Sequence, residues 1–258
     1  MRYPDNAVPL IVFGRQRAGT RFLVGALNKF PEICIQGELP NPVMQNVRQF
    51  VDATESWYSA NAAKGDKHDR KKYHHWLDKK EQLIFSLWAT AGQSPMKKPH
   101  KHCRYFGYKR PNNEFYFSFY EAHLTKRKPV YVYCIRNFVD NYLSIVSRWP
   151  DRSISQVARD YLGSIAQYRK IRDAAGDRLL TFVLDEYKTK RVDYLKRNVI
   201  DRLDVDMRPE ILDVIASMAP KNTTEGLGVP RRTAITRSEE RYIAKNPRLQ
   251  SEFEDFLE

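Results

Sequence analysis

The chain is short of cysteine: three in 258 residues (Cys34, Cys103, Cys134), odd in number, widely spaced and joined by no C-x-x-C pair. A disulfide scaffold is therefore excluded as the organising principle, and reduced thiols are the default. No apolar run reaches the ~18 residues a membrane-crossing helix needs. The opening Met1-Arg2-Tyr3-Pro4 lacks a basic segment leading into an apolar signal core, so the chain reads as cytoplasmic. Internal repeats and low-complexity tracts are missing too. Acid is in deficit, with Asp and Glu totalling 31 against 44 Lys and Arg, a net charge of +13. That imbalance points to an anionic partner: nucleotide, nucleic acid or acidic polysaccharide.

What is present is a foldable chain. Its 42% hydrophobic content supports a sizeable core and excludes a disordered chain. The positive charge is uneven. From Lys64 to Arg110 there are 13 Lys/Arg and 4 Asp/Glu, and five of the six histidines (His68, His74, His75, His100, His102) fall there.

Short β-branched and aromatic runs alternate with helical periodicity. Val8–Phe13 reads as a buried strand, followed by a helix over about 20–29, ended by Pro31, and a brief strand over 33–35. Residues 41–103 form a basic, mostly helical insertion, with helices near 43–51 and 76–91 separated by the charged stretch 64–72. Further strands are predicted at 105–108, 130–135 and 179–184, with helices at 139–148 and 155–175. Beyond these the chain reads as helical around a loop over 220–232. The fold class is therefore α/β, with a mainly parallel central sheet flanked by helices. In such sheets ligands bind at the strands' carboxyl ends.

The loop after the first strand is Gly14-Arg15-Gln16-Arg17-Ala18-Gly19-Thr20-Arg21. It has the G-x-x-x-x-G spacing of a phosphate-cradling loop between a strand and a helix. Thr20-Arg21 stands where a nucleotide triphosphatase has Lys-Ser or Lys-Thr, and a cation, Arg17, sits inside the loop instead. After the strand at 130–135 comes Arg136-Asn137-Phe138-Val139-Asp140, with Ser144 eight residues beyond the arginine. An arginine fork and a serine hydroxyl two turns into the next helix can converge on one anion.

Together these segments resemble sulfotransferases that use 3′-phosphoadenosine 5′-phosphosulfate (PAPS), and most of all their glycan-modifying branch. Arg17-Ala18-Gly19-Thr20-Arg21 resembles the family's 5′-phosphosulfate loop, and Phe30-Pro31 its aromatic-proline break. Arg136 and Ser144 match the residues that hold the 3′-phosphate, with Phe138 replacing a usual proline. Gly107-Tyr108-Lys109-Arg110-Pro111 resembles the branch's Lys-Thr/Ser-Pro turn.

The resemblance implies a three-layer, P-loop-like fold in a single domain spanning 1–258, and sulfonate transfer to a hydroxyl, with 3′,5′-adenosine bisphosphate as product and no metal. It implies Arg15, Gln16, Arg17, Ala18, Gly19, Thr20 and Arg21 as the 5′ cradle, Arg136 and Ser144 at the 3′-phosphate, and Arg231 or Arg232 as an added contact from the loop over 220–232. It also implies Arg17 as the cation at the leaving oxygen, Glu38 as the base, and Lys109 as an aid to acceptor or sulfonate. The implied acceptor is a sugar or glycan. The basic lobe suits an acidic acceptor, and it equally suits attraction of the donor. Neither nucleic acid nor a membrane span is implied. The histidines complete no metal-site pattern, and Trp57, Trp76 and Trp88 are candidates either for sugar stacking or for core. A P-loop phosphotransferase and a basic nucleic-acid-binding protein are the rival readings.

Overall fold

The computed structural model describes residues 6–91, 103–218 and 230–257. His100, His102 and most of the loop over 220–232 lie outside them. Five strands, β1 (Val8–Gly14), β2 (Ile33–Gln36), β3 (Tyr105–Lys109), β4 (Val130–Ile135) and β5 (Leu179–Val183), form a parallel sheet in the order β2-β3-β1-β4-β5. The sequence expectation of a parallel α/β sheet holds.

The helices are α1 (Thr20–Leu27), α2 (Asn41–Ala62), α3 (Lys67–Ala91), α4 (Phe117–His123), α5 (Phe138–Arg148), α6 (Ile154–Ala175), α7 (Leu184–Leu195), α8 (Asp201–Leu203), α9 (Pro209–Ala216), α10 (Arg237–Ala244) and α11 (Arg248–Glu254). Several differ materially from the sequence reading: α2 runs on to Ala62, well past the expected end near 51, and α4 corresponds to no expected helix. The charged stretch 64–72 does not separate helices as a loop; most of it is α3, because lysine and arginine are good helix formers and repulsion along an exposed face is screened by water. The break falls instead at Gly65, which has φ +92°. Leu184, expected at the end of a strand, begins α7.

The chain divides into two compact units. The first comprises Met1–Leu10, Pro31–Tyr108 and Tyr116–Pro129. Its core forms around Trp88, 1% exposed, which stacks on Tyr108 with ring centroids 5.5 Å apart and also meets Phe106 and Tyr120. Burial therefore makes Trp88 a core residue and not a sugar platform. A part-buried ionic knot joins α2 to its neighbours. Lys80 donates to Glu55 at 2.8 Å, while His123 bridges Glu55 (3.2 Å) and Asp52 (2.7 Å).

The second unit comprises Ile11–Phe30, Lys109–Phe115 and Val130–Glu258. Here the end of β1 lies beside β4, with Phe13 against Tyr131 and Tyr133. The strand order explains why ligand chemistry gathers at this place. From β1 the chain crosses to one side of the sheet, through α1 to β2; from β4 it crosses to the other, through α5 and α6 to β5. Neighbouring strands whose connections diverge leave a crevice at their carboxyl ends.

Candidate active site

The crevice is floored by the turn from β1 to α1. Gly14 has φ +129°, and a Cβ there would lie 2.0 Å from the carbonyl oxygen of Cys134, so only glycine lets β1 end this close to β4. Gly19, at φ +90°, is the residue before α1 and offers no side-chain cap; the first turn carries no acid. Its first amides therefore point outward with the positive end of the helix dipole, an arrangement suited to an anion.

Between the glycines, Arg17 adopts φ +66°, a left-handed conformation rare for a residue with a side chain. Such backbone costs of order 1–3 kcal/mol and persists only where surroundings impose it. The imposing contacts come from α5. The Asn141 amide donates to the carbonyl oxygen of Gln16 at 2.7 Å, and Arg17 Nε donates to Ser144 Oγ at 3.0 Å. Asn141 and Ser144 are three residues apart and so share one face of the helix. Burial, followed by the nearby charges of Arg148 and Arg136, pulls Arg17 below the ordinary arginine value.

Arg136, 8% exposed, sits at the end of β4. Its Nε donates to Asp140 at 3.2 Å, its own carbonyl accepts from the Tyr161 hydroxyl at 2.9 Å, and Lys188 reaches Asp140 at 2.9 Å and Asp185 at 3.1 Å. Asp185 in turn accepts from both the backbone and the side-chain amide of Asn137. For Asp140, burial opposes the charge, but hydrogen bonds from Lys188 and Arg136 outweigh it and hold the carboxyl at about 2. Asn137 caps α5 by accepting from the Asp140 amide at 2.8 Å.

The other sequence candidates occupy varied positions. Arg15 is buried, donating to Asn112 at 3.1 Å with Asp160 at 3.7 Å; desolvation lowers its pKa. Near it lies a buried polar group, in which Ser164 donates to Glu114 at 2.5 Å and meets the Tyr133 hydroxyl at 2.9 Å; burial pushes the Glu114 carboxyl up. Ala18 and Thr20 are buried, Gln16 is half-buried and Arg21 is exposed. Lys109 ends β3 in the second unit, 5% exposed, and its charge partly offsets the burial that raises the Cys134 thiol. Glu38 is half-buried in the first unit, two residues past β2, where the next amide, Leu39, donates to the Tyr108 hydroxyl at 3.0 Å. Arg232 is engaged with Glu239 through both guanidinium nitrogens, and its backbone amide donates to Ser147 at 2.8 Å; Arg231 is exposed.

The structure thus brings Arg17, Arg136 and Ser144 together around one crevice. Sequence reasoning passed over Asn141 and Lys188. Asn141 was findable, being three residues before Ser144 on the same helical face; Lys188 has a local partner in Asp185, three residues before it, but its link to Asp140 spans 48 residues and leaves no trace in spacing.

A parallel sheet with an uncapped helix start and a strand-end arginine at its switch point defines an anion-binding α/β protein of the nucleotide-binding kind. A model described as "Sulfotransferase family" matches residues 9–195, most of the chain, and the chain belongs to that family. No curated protein matches it in sequence. Among solved structures it resembles the sulfotransferase domain of the Synechococcus PCC 7002 olefin synthase, 16% identical over 89% of this chain and 86% of that one (TM-score 0.53). Sulfotransferase STF9 from Mycobacterium avium is 13% identical over 98% and 76% (TM-score 0.50). A mouse sulfotransferase, SULT7A1, complexed with PAP, is 12% identical over 92% and 70% (TM-score 0.47). Among the described residues no helix is long and apolar enough to cross a membrane, and no group of three or more His, Cys, Asp or Glu could hold a metal ion.

Proposed function

We propose that this sulfotransferase takes its sulfonate from PAPS and delivers it to a hydroxyl of a carbohydrate or similar acceptor in the cytoplasm. The observation that carries the reading is the Arg17–Ser144 hydrogen bond, 3.0 Å across the crevice. It joins the residue matched to the 5′ end of the nucleotide to a residue matched to its 3′-phosphate, so one doubly phosphorylated adenosine spans both.

In this reading the amides of residues 16–21 and the Thr20 hydroxyl hold the 5′-phosphate, and Arg136 and Ser144 hold the 3′-phosphate, with Arg231 or Arg232 adding a contact. Buried Arg15 contributes by fixing the loop through Asn112. Transfer is in line. The acceptor oxygen forms the new S–O bond as the S–O bond to the 5′-phosphate breaks, the hydroxyl proton passes to Glu38, and 3′,5′-adenosine bisphosphate departs. Arg17 neutralises the charge that grows on the departing oxygen, and Lys109 steadies the sulfonate or the acceptor. The carbohydrate acceptor rests on the glycan-branch resemblance and on the exposed aromatics and cations of α2 and α3, which suit a sugar carrying acidic groups.

Thermal stabilisation by adenosine 3′,5′-bisphosphate, ADP, ATP with Mg²⁺ and an oligonucleotide tests the reading. A ligand at about 100 times its Kd adds about 2.7 kcal/mol. The bisphosphate alone is expected to stabilise. Preference for ATP with Mg²⁺ would favour a phosphotransferase, and stabilisation by oligonucleotide alone a nucleic-acid-binding protein. An acceptor screen with labelled donor then tests the carbohydrate assignment separately.

A further inference from the structure

The strand end that carries Arg136 is electrostatically self-sufficient. Arg136 and Lys188 meet Asp140 and Asp185 in one linked cluster, and the four charges cancel. A phosphate monoester brings nearly two negative charges at neutral pH. Held by Arg136 and the neutral Ser144 alone, it would compete with Asp140 for a guanidinium already engaged. A cation that is not already neutralised by a carboxylate would favour such a phosphate on the Ser144 side of this cluster.

Arg148 is placed to act from the Ser144 side. It lies four residues beyond Ser144 on α5, so the two side chains occupy neighbouring turns of one face, the face that also carries Asn141 to the Gln16 carbonyl. Its guanidinium is exposed and lies over the Trp149 ring, 5.2 Å from the centroid. Among the described residues it makes no ion pair. It is near enough to Arg17 for the two charges to repel, an arrangement that an intervening anion relieves. Arg232, by contrast, is committed to Glu239.

We propose that Arg148 is a further nucleotide-binding residue, contacting the 3′-phosphate beside Ser144, with Trp149 holding its guanidinium plane in position. The proposal rests on the PAPS reading above and adds to it a residue and a reason for selectivity: the 3′-phosphate is distinguished by a cation that has no ion partner among the described residues.

Calorimetric titration of the full chain with adenosine 3′,5′-bisphosphate and with 5′-AMP tests it, using the wild type, Arg148→Ala and Arg148→Lys. The wild type is expected to prefer the bisphosphate. Arg148→Ala should lose about 10- to 100-fold in bisphosphate affinity, the scale of one hydrogen bond to a charged group, and bind 5′-AMP nearly as before. Arg148→Lys, which keeps the charge but not the planar fork, should recover part of the loss. The exposed position makes folding of each variant straightforward to verify by melting temperature. If Arg148→Ala retains the wild-type preference, or weakens both ligands equally, Arg148 does not contact the 3′-phosphate and the proposal is overturned. A wild type without any preference would instead sink the donor reading beneath it.

Discussion

Two regions of this molecule are rich in cations and hold them in opposite ways. Around the end of β1, the Arg15 and Arg136 side chains are buried, Arg17 is half-buried, and each is fixed by named partners: Asn112, Asp140 and Ser144. On the α2–α3 hairpin, Lys67, Arg70, Lys71 and Lys72 are exposed, accompanied by Trp57 at 59% exposure and Phe50 at 55%. Donors held in a fixed array can select one phosphate geometry. Solvated cations supply a field that any anion feels and that salt weakens. In the proposed reading this contrast makes the donor easier to deduce than the acceptor: the buried cations specify a shape, the exposed ones only a sign.

The largest effect that would sharpen this contrast is at Arg17. Arg17→Ala should lower kcat by ~10²–10³-fold in a labelled-donor assay, the usual loss on removing one preorganised donor to developing charge; an unchanged kcat would strip Arg17 of its assigned role. Next comes the floor of the crevice. Gly14→Ala forces a Cβ against Cys134 in a backbone conformation that side chains avoid, and urea denaturation should show a loss of about 2–3 kcal/mol.

A smaller effect concerns acid. Burial opposes the charge of Glu239, yet hydrogen bonds, that of Arg232 foremost, bring its carboxyl down from 4.5 to about 2. Because the folded value is depressed, this contribution is complete above about 4.5 and is lost as pH falls toward 2. Glu239→Gln should therefore cost about 1–2 kcal/mol at neutral pH, after allowing for screening, and flatten the stability profile between those limits. An identical acid profile in wild type and variant would contradict the assignment. The smallest effect belongs to the hairpin: Trp57→Ala should change stability by less than about 0.5 kcal/mol and leave bisphosphate affinity intact. A marked destabilisation would mean that Trp57 is structural after all.

Much of the architecture was legible because its causes are local. Val130–Ile135, a run of β-branched and aromatic residues, is β4 to the residue, and Gly14 and Gly19 mark the turn that their backbone angles require. The long-range partners were not legible. Asp185 serves Asn137 across 48 residues and Glu114 serves Ser164 across 50; neither pairing leaves a trace in spacing. The extent of α3 was underestimated because a run of like charges was read as a loop, although its residues favour helix individually. Trp88 shows the same limit from the other side: periodicity marks a helical face but not which part of it faces the core.

The anchors that force Arg17 into its left-handed turn have a consequence for the newly made chain. The Gln16 carbonyl finds its donor at Asn141, 125 residues later, and Arg17 finds Ser144 127 residues later. An amino-terminal fragment ending before α5 would contain the entire glycine-bounded turn and still lack the contacts that shape it. If this turn captures nucleotide as proposed, that capture becomes a certificate of assembly, available only once the ribosome has delivered the middle of the chain and the β4–α5 segment has docked.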